Sequence, residues 1–244
     1  MSMQAQRPGM FYGWLVVGCT LFAMALTAGT DRSFGVAVLP LSAQFGWSRA
    51  TLSTVVLITG LVSSVFQLGI GVLVDRFGPR YVLGAGVACL GVAVWLLTIA
   101  TTIWEFGLAY GLLGGLGLAA TRQVVAATLV GNWFVQRRGL VQGVVGSAGA
   151  LGEMLVVPIN MFLERDYGWQ AMYRSMGAAL LGGVLPLVLA FVRNRPEDVG
   201  LQPYGTRAPR RTTPSAPSRP AEGIPFRQAL SQPQTWILIY LGFA

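Results

Sequence analysis

Four ionisable side chains stand inside long uncharged stretches of this sequence: Asp31, Arg32, Arg122 and Glu153. A charge at the centre of a lipid bilayer costs about 2.5–3.5 kcal/mol on insertion scales, so such groups turn toward protein or a water-filled path. Arginine suits the capture of a carboxylate. Its planar fork binds the two oxygens together, and it does not lose its proton. Two alternatives stand for Arg32: reaching out to the membrane surface or pairing locally with Asp31, or attracting a negatively charged solute. Arg122 and Glu153 are expected to form an ion pair. Counted from the nearest turns at ~1.5 Å per residue, they lie at depths of ~17 Å and ~21 Å. Such a pair either only fixes helix packing or forms an anion or proton site that opens when it breaks.

Other chemistries are excluded by composition. All 17 basic residues are arginine, and there is neither lysine nor histidine. A Walker A loop, a lysine nucleophile, a His-based triad and an H-E-x-x-H metal site are therefore all ruled out. No nucleophile–base pair or metal constellation points to an enzyme, and no cofactor is implied. Cys19 and Cys89 both lie in apolar runs and read as packing residues.

The elements that position these charges are six apolar runs: 11–39, 51–74, 81–104, 106–134, 139–163 and 175–192. With 54% hydrophobic and 11% charged residues, the chain cannot cover a water-facing surface. Each run reaches the roughly 17–25 residues that span ~30 Å of hydrocarbon as a helix, and none shows the alternation of barrel strands. The fold expected is an all-α membrane protein, a six-helix bundle over residues 11–192 after a short N-terminus, 1–10. On the fifth run Gly139, Gly143, Gly146 and Glu153 share a face, a small-residue stripe suited to a neighbouring helix. Gly111, Gly115 and Arg122 share one on the fourth.

Residues 193–232 are basic and rich in Pro, Ser and Thr, and read as a disordered linker. Apolar character resumes at 233–244, too short to span a bilayer, and is expected to be the truncated start of a seventh helix. With the N-terminus inside, inner segments hold twelve arginines and outer ones only Arg49, Arg165 and Arg174. This places the N-terminus in the cytoplasm. Basic charge so distributed fits membrane loops better than nucleic acid. Trp14, Trp47, Trp104, Trp133 and Trp169 fall near run ends, as interfacial anchors do. A faint 90-residue periodicity links Arg32 with Arg122, Gly78 with Gly168 and Trp14 with Trp104, suggesting two three-helix repeats.

The turn Gly71-Val72-Leu73-Val74-Asp75-Arg76-Phe77-Gly78-Pro79-Arg80 resembles the loop between helices two and three of the major facilitator superfamily, with Pro79 in place of a basic residue. Tyr12-Gly13-Trp14, Asn132 to Leu140 and Tyr167-Gly168-Trp169 are similar to monocarboxylate transporters and oxalate/formate antiporters, although Gln170 stands where an arginine is expected. The resemblance implies the N-terminal half of a secondary transporter working by alternating access in the plasma (inner) membrane. It implies proton symport or anion exchange of a small organic anion, a monocarboxylate. Arg32 falls where these transporters carry a basic residue that engages the substrate carboxylate. Arg32, Arg122 and Glu153 are the expected substrate site. Gly71, Asp75, Arg76, Gly78 and Arg80 are expected to gate, latching onto a missing six-helix C-terminal half. The alternatives are a carrier of neutral or cationic drug-like solutes and a non-transporting membrane fragment or sensor.

Overall fold

The computed structural model describes residues 12–204. The expected N-terminal segment, most of the linker and the start of a seventh helix lie outside the described residues. Within them the chain is almost wholly helical. Five helices are long and apolar enough to cross a membrane: α1 (Tyr12–Phe45), α2 (Arg49–Phe77), α3 (Pro79–Leu97), α4 (Ile103–Trp133) and α5 (Arg138–Phe191).

The fifth and sixth expected runs both fall in α5, which is 54 residues long. At ~1.5 Å per residue a straight helix of that length would reach about 80 Å, far more than a bilayer. It is not straight. Gly168 has φ 83° and ψ 165°, outside any helical region. Between the expected runs 139–163 and 175–192 the helix is interrupted at this one residue. Before the break α5 runs beside α1 in the same direction. Glu153 meets Arg32, Asn160 donates to Ser33 Oγ at 2.8 Å, and Trp169 donates to Gln44 at 2.7 Å. After the break the helix returns, and the carbonyl of Phe191 accepts from the Tyr12 hydroxyl at 2.6 Å.

The 90-residue periodicity reappears in the backbone. Gly78 has φ 84° and ψ 150°, within a few degrees of Gly168 in φ. Both occupy a region open in practice only to glycine, and each ends one helical rod and starts the next.

The two ends of the bundle differ. At one, Phe45 stacks on Trp47 with ring centroids 4.5 Å apart, and Phe106 and Trp169 close around them. At the other, Asn194 joins the α2–α3 turn to the end of α5. Its Oδ1 accepts from the Arg80 amide at 2.9 Å, and its carbonyl accepts from Asn132 Nδ2 at 3.0 Å. The Trp133 indole donates to the carbonyl of Arg193 at 3.0 Å. The turns at 75–80 and 137–138 and the exit at 193 therefore share one end, away from Arg49 and Arg165. That is the separation expected from the arginine count.

Two expectations are corrected here. Trp133 and Trp169 stand at the ends of the bundle but are buried against protein, not turned outward, with their indole N–H groups donating to Arg193 and Gln44. The stretch expected to be disordered begins with order. Tyr204 donates its amide to the carbonyl of Trp133 at 2.9 Å, and its own carbonyl accepts from Val135. The lipid-like surface is plain on α2, where Leu57, Leu61, Val65, Leu68 and Val72 are all exposed.

Replacing Gly78 or Gly168 with alanine should each lower stability by about 1–3 kcal/mol. Gly78→Ala should cost more, because its Cβ would meet the Asn194 side chain. Thermal unfolding in detergent reads the difference. Single cysteines placed at positions 137 and 165, with Cys19 and Cys89 replaced, should react with an impermeant thiol reagent from opposite sides of the membrane.

Candidate functional site

Two glycines bring α1 and α5 together. A Cβ at Gly152 would fall on the Ala25 carbonyl, and one at Gly29 would fall on the Val156 side chain. Contact of this kind needs small residues on both helices. The stripe expected to provide it, Gly139 and Gly143, has nothing within 4 Å of either position, and at Gly146 only Gln123 is near, at 3.6 Å. At 100° per residue these glycines lie on the side of the helix away from Gly152, which is the one that meets α1.

The approach sets Glu153 against Arg32. Arg32 Nε donates to Glu153 Oε1 at 2.9 Å. This replaces the expected Arg122–Glu153 pair. Arg122 is not on a regular helical face. With φ −86° and ψ −179° it sits in an extended link between Gly115–Ala120 and Gln123–Trp133. Gly111 and Gly115 meanwhile face α2, against Ile58 and Thr59. The side chains of Arg32 and Glu153 are 67% and 47% exposed, so the pair stands in an accessible cavity, not in a sealed core.

That cavity holds about 330 Å³. It is lined from α1 by Thr27, Asp31 and Arg32, from α4 by Thr121 and Arg122, and from α5 by Gly149 and Glu153, with Gln67 of α2 and Gln123 of α4 completing the polar wall. All three expected site residues thus line one space. Arg122 forms no ion pair among the described residues.

Tyr110 was not foreseen from the sequence. It is buried, stacks on Phe34 at 4.8 Å, and donates its hydroxyl to Asp31 Oδ1 at 3.1 Å and to the Asp31 carbonyl at 3.2 Å. It lies in a π-helical stretch, Gly107–Gly114. Such wide turns are rare and frequently mark functional sites. A tyrosine in an apolar run carries no charge to betray it, and its partner is 79 residues away.

The expected gate residues divide. Arg80 donates through its guanidinium to the carbonyl of Leu189, capping the end of α5. Gly78 sits tight against Asn194, and nothing lies within 4 Å of a Cβ at Gly71. Close packing at Gly71 therefore has no partner among the described residues. Arg76 lies over the Phe77 ring at 5.4 Å, and Asp75 makes no ion pair among the described residues.

Known proteins carry the same pattern. The family described as Major Facilitator Superfamily matches residues 20–244. The chain belongs to this superfamily. Its members are transporters, not enzymes, and this chain is a multi-pass, all-α membrane protein of that family. A monocarboxylate transporter 13 from Bos taurus is 32% identical over 78% of this chain and 43% of its own length. An uncharacterized MFS-type transporter, YcxA, from Bacillus subtilis is 27% identical over 75% and 45%. A chloroplastic sodium-dependent phosphate transport protein 1 from Arabidopsis thaliana is 30% identical over 94% and 45%. The chain thus spans less than half the length of these relatives. In this superfamily member the Asp31–Tyr110 bond supports the cavity wall. Tyr110→Phe should cost about 1–2 kcal/mol by leaving a carboxylate oxygen unpaired, and less than Tyr110→Ala. Thermal unfolding of the purified protein measures both.

Proposed function

We propose that this protein takes part in secondary active transport of a small organic anion, a monocarboxylate, by proton symport or anion exchange. The observation that carries the reading is the convergence of two guanidiniums, Arg32 and Arg122, on one cavity of about 330 Å³ whose acids are already hydrogen-bonded. Glu153 is held by Arg32 and Asp31 by Tyr110, which leaves Arg122 as the cation without an ion-pair partner among the described residues. An entering carboxylate finds Arg122 unpaired and Arg32 engaged only through Nε. Relatives named as monocarboxylate and phosphate transporters support an anionic cargo.

In this reading Glu153 holds the Arg32 fork while the site is empty and competes with the cargo for it. A second, equally long set of helices would complete the path, and the two halves would rock about the site. Asp75, Arg76 and the open face at Gly71 would meet that second half, while Gly78 and Arg80 hold the turn in shape. The N-terminus would lie in the cytoplasm and the protein in the plasma (inner) membrane, following the arginine distribution.

Arg32→Ala should lower carboxylate uptake by proteoliposomes at least tenfold, and Arg32→Lys should restore part of it, since lysine keeps the charge but loses the fork. Uptake retained in Arg32→Ala would turn the assignment to neutral or cationic solutes. Glu153→Gln should alter both uptake and its dependence on a proton gradient, and no change in either removes Glu153 from the mechanism. Absence of any anion uptake by the wild-type protein favours the non-transporting sensor.

A further inference from the structure

Arg32 lines two cavities, not one. Beyond the polar chamber lies a second space of about 760 Å³ between α1 and α5, whose wall is formed by Gly35, Val36, Leu39, Val157, Met161 and Phe162. On α1 these positions follow Arg32 at helical spacings of three, four and seven residues, so they continue its face. The chamber is apolar until its far rim, where Glu164 and Arg165 stand side by side with opposite charges. Leu39, Met161 and Phe162 are each more than half exposed in it. A groove so large and so apolar, with a lone guanidinium at its inner end and one charge of each sign at its rim, matches a molecule with one anionic end and an apolar body.

The guanidinium is also free in the required way. Its Nε is taken by Glu153, and its two terminal amino groups carry no hydrogen bond among the described residues. From the geometry we infer that the cargo is a monocarboxylate with an extended apolar body, aromatic or medium-chain. Its carboxylate pairs with the terminal amino groups of Arg32, and its body lies along Val36, Leu39, Val157 and Met161. This rests on the carboxylate reading above and narrows it. Very short acids leave the groove unfilled. Dicarboxylates would have to place their second charge among apolar side chains or at a rim where Arg165 attracts it and Glu164 repels it, for no net gain.

Gly35 supplies a direct test, because a Cβ there meets nothing within 4 Å and a side chain can grow into the groove without disturbing the fold. Binding of propionate, hexanoate, benzoate, 3-phenylpropionate and the dicarboxylate suberate is measured by thermal shift on the full purified protein. Affinity should rise along the monocarboxylates, by up to about fourfold per buried methylene. Gly35→Leu and Met161→Ala should flatten the gradient. Gly18→Leu, at an equally open position on α1 outside both cavities, should preserve it. Arg32→Ala should abolish binding throughout. A flat series that still depends on Arg32, or suberate binding more tightly than hexanoate, overturns the apolar-body inference and leaves the carboxylate site standing. Absence of Arg32-dependent binding to every acid overturns both.

Discussion

The approach of α1 and α5 at Gly29 and Gly152 is the constraint on which the site depends. At this crossing the backbones lie closer than any side chain allows. Within lipid no hydrophobic force pulls helices together, so association rests on packing and on polar contacts across the interface. The glycines permit the packing. Glu153 to Arg32 and Asn160 to Ser33 then form just beyond it, one to eight residues C-terminal to the glycines on the same helices. A bulkier residue at either glycine would part the helices, and with them the guanidinium and its carboxylate.

The same constraint explains why the charges are tolerated. Asp31, Arg32, Arg122 and Glu153 come from three helices, and each would be costly against hydrocarbon. Gathered around one cavity, two acids and two bases sum to no net charge. Their pairing is uneven, however. Glu153 and Asp31 have named partners, whereas Arg122 sits in a break of α4 and is not matched by a neighbouring carboxylate within ion-pair distance. Asp31 and Arg122 thus face one cavity without an ion pair of their own among the described residues, one charge of each sign.

The ends of the bundle are secured by different means. One end relies on stacked aromatic rings around Phe45 and Trp169. The other relies on hydrogen bonds through Asn194, Arg80 and Trp133, which tie the turn at Gly78 to the end of α5. Each end also has a glycine in a conformation closed to other residues, Gly78 at one and Gly168 at the other. The equivalence of two positions 90 residues apart is what a duplicated three-helix unit would leave behind.

Length, hydropathy and the placement of charge were enough to establish a helical membrane protein and to single out three residues that the structure brings to one cavity. These properties are local, since a run of apolar residues has one stable state in lipid and a lone charge within it must turn inward. The superfamily turn at 71–80 was equally legible, because glycine and charge at fixed spacing survive as text. Partnership was not. Helical periodicity paired Glu153 with Arg122 on the assumption that α4 is regular. The break at Arg122 and the π-helical turn at Tyr110 shift the register of that helix, and the glycine that meets α1 is Gly152, on the face away from Gly139 and Gly143. Which arginine meets Glu153, and that Tyr110 holds Asp31, depends on contacts between residues 79 to 121 positions apart. Only the packed bundle decides these, because a helix records in its sequence which face is apolar but not which neighbour comes to lie against it.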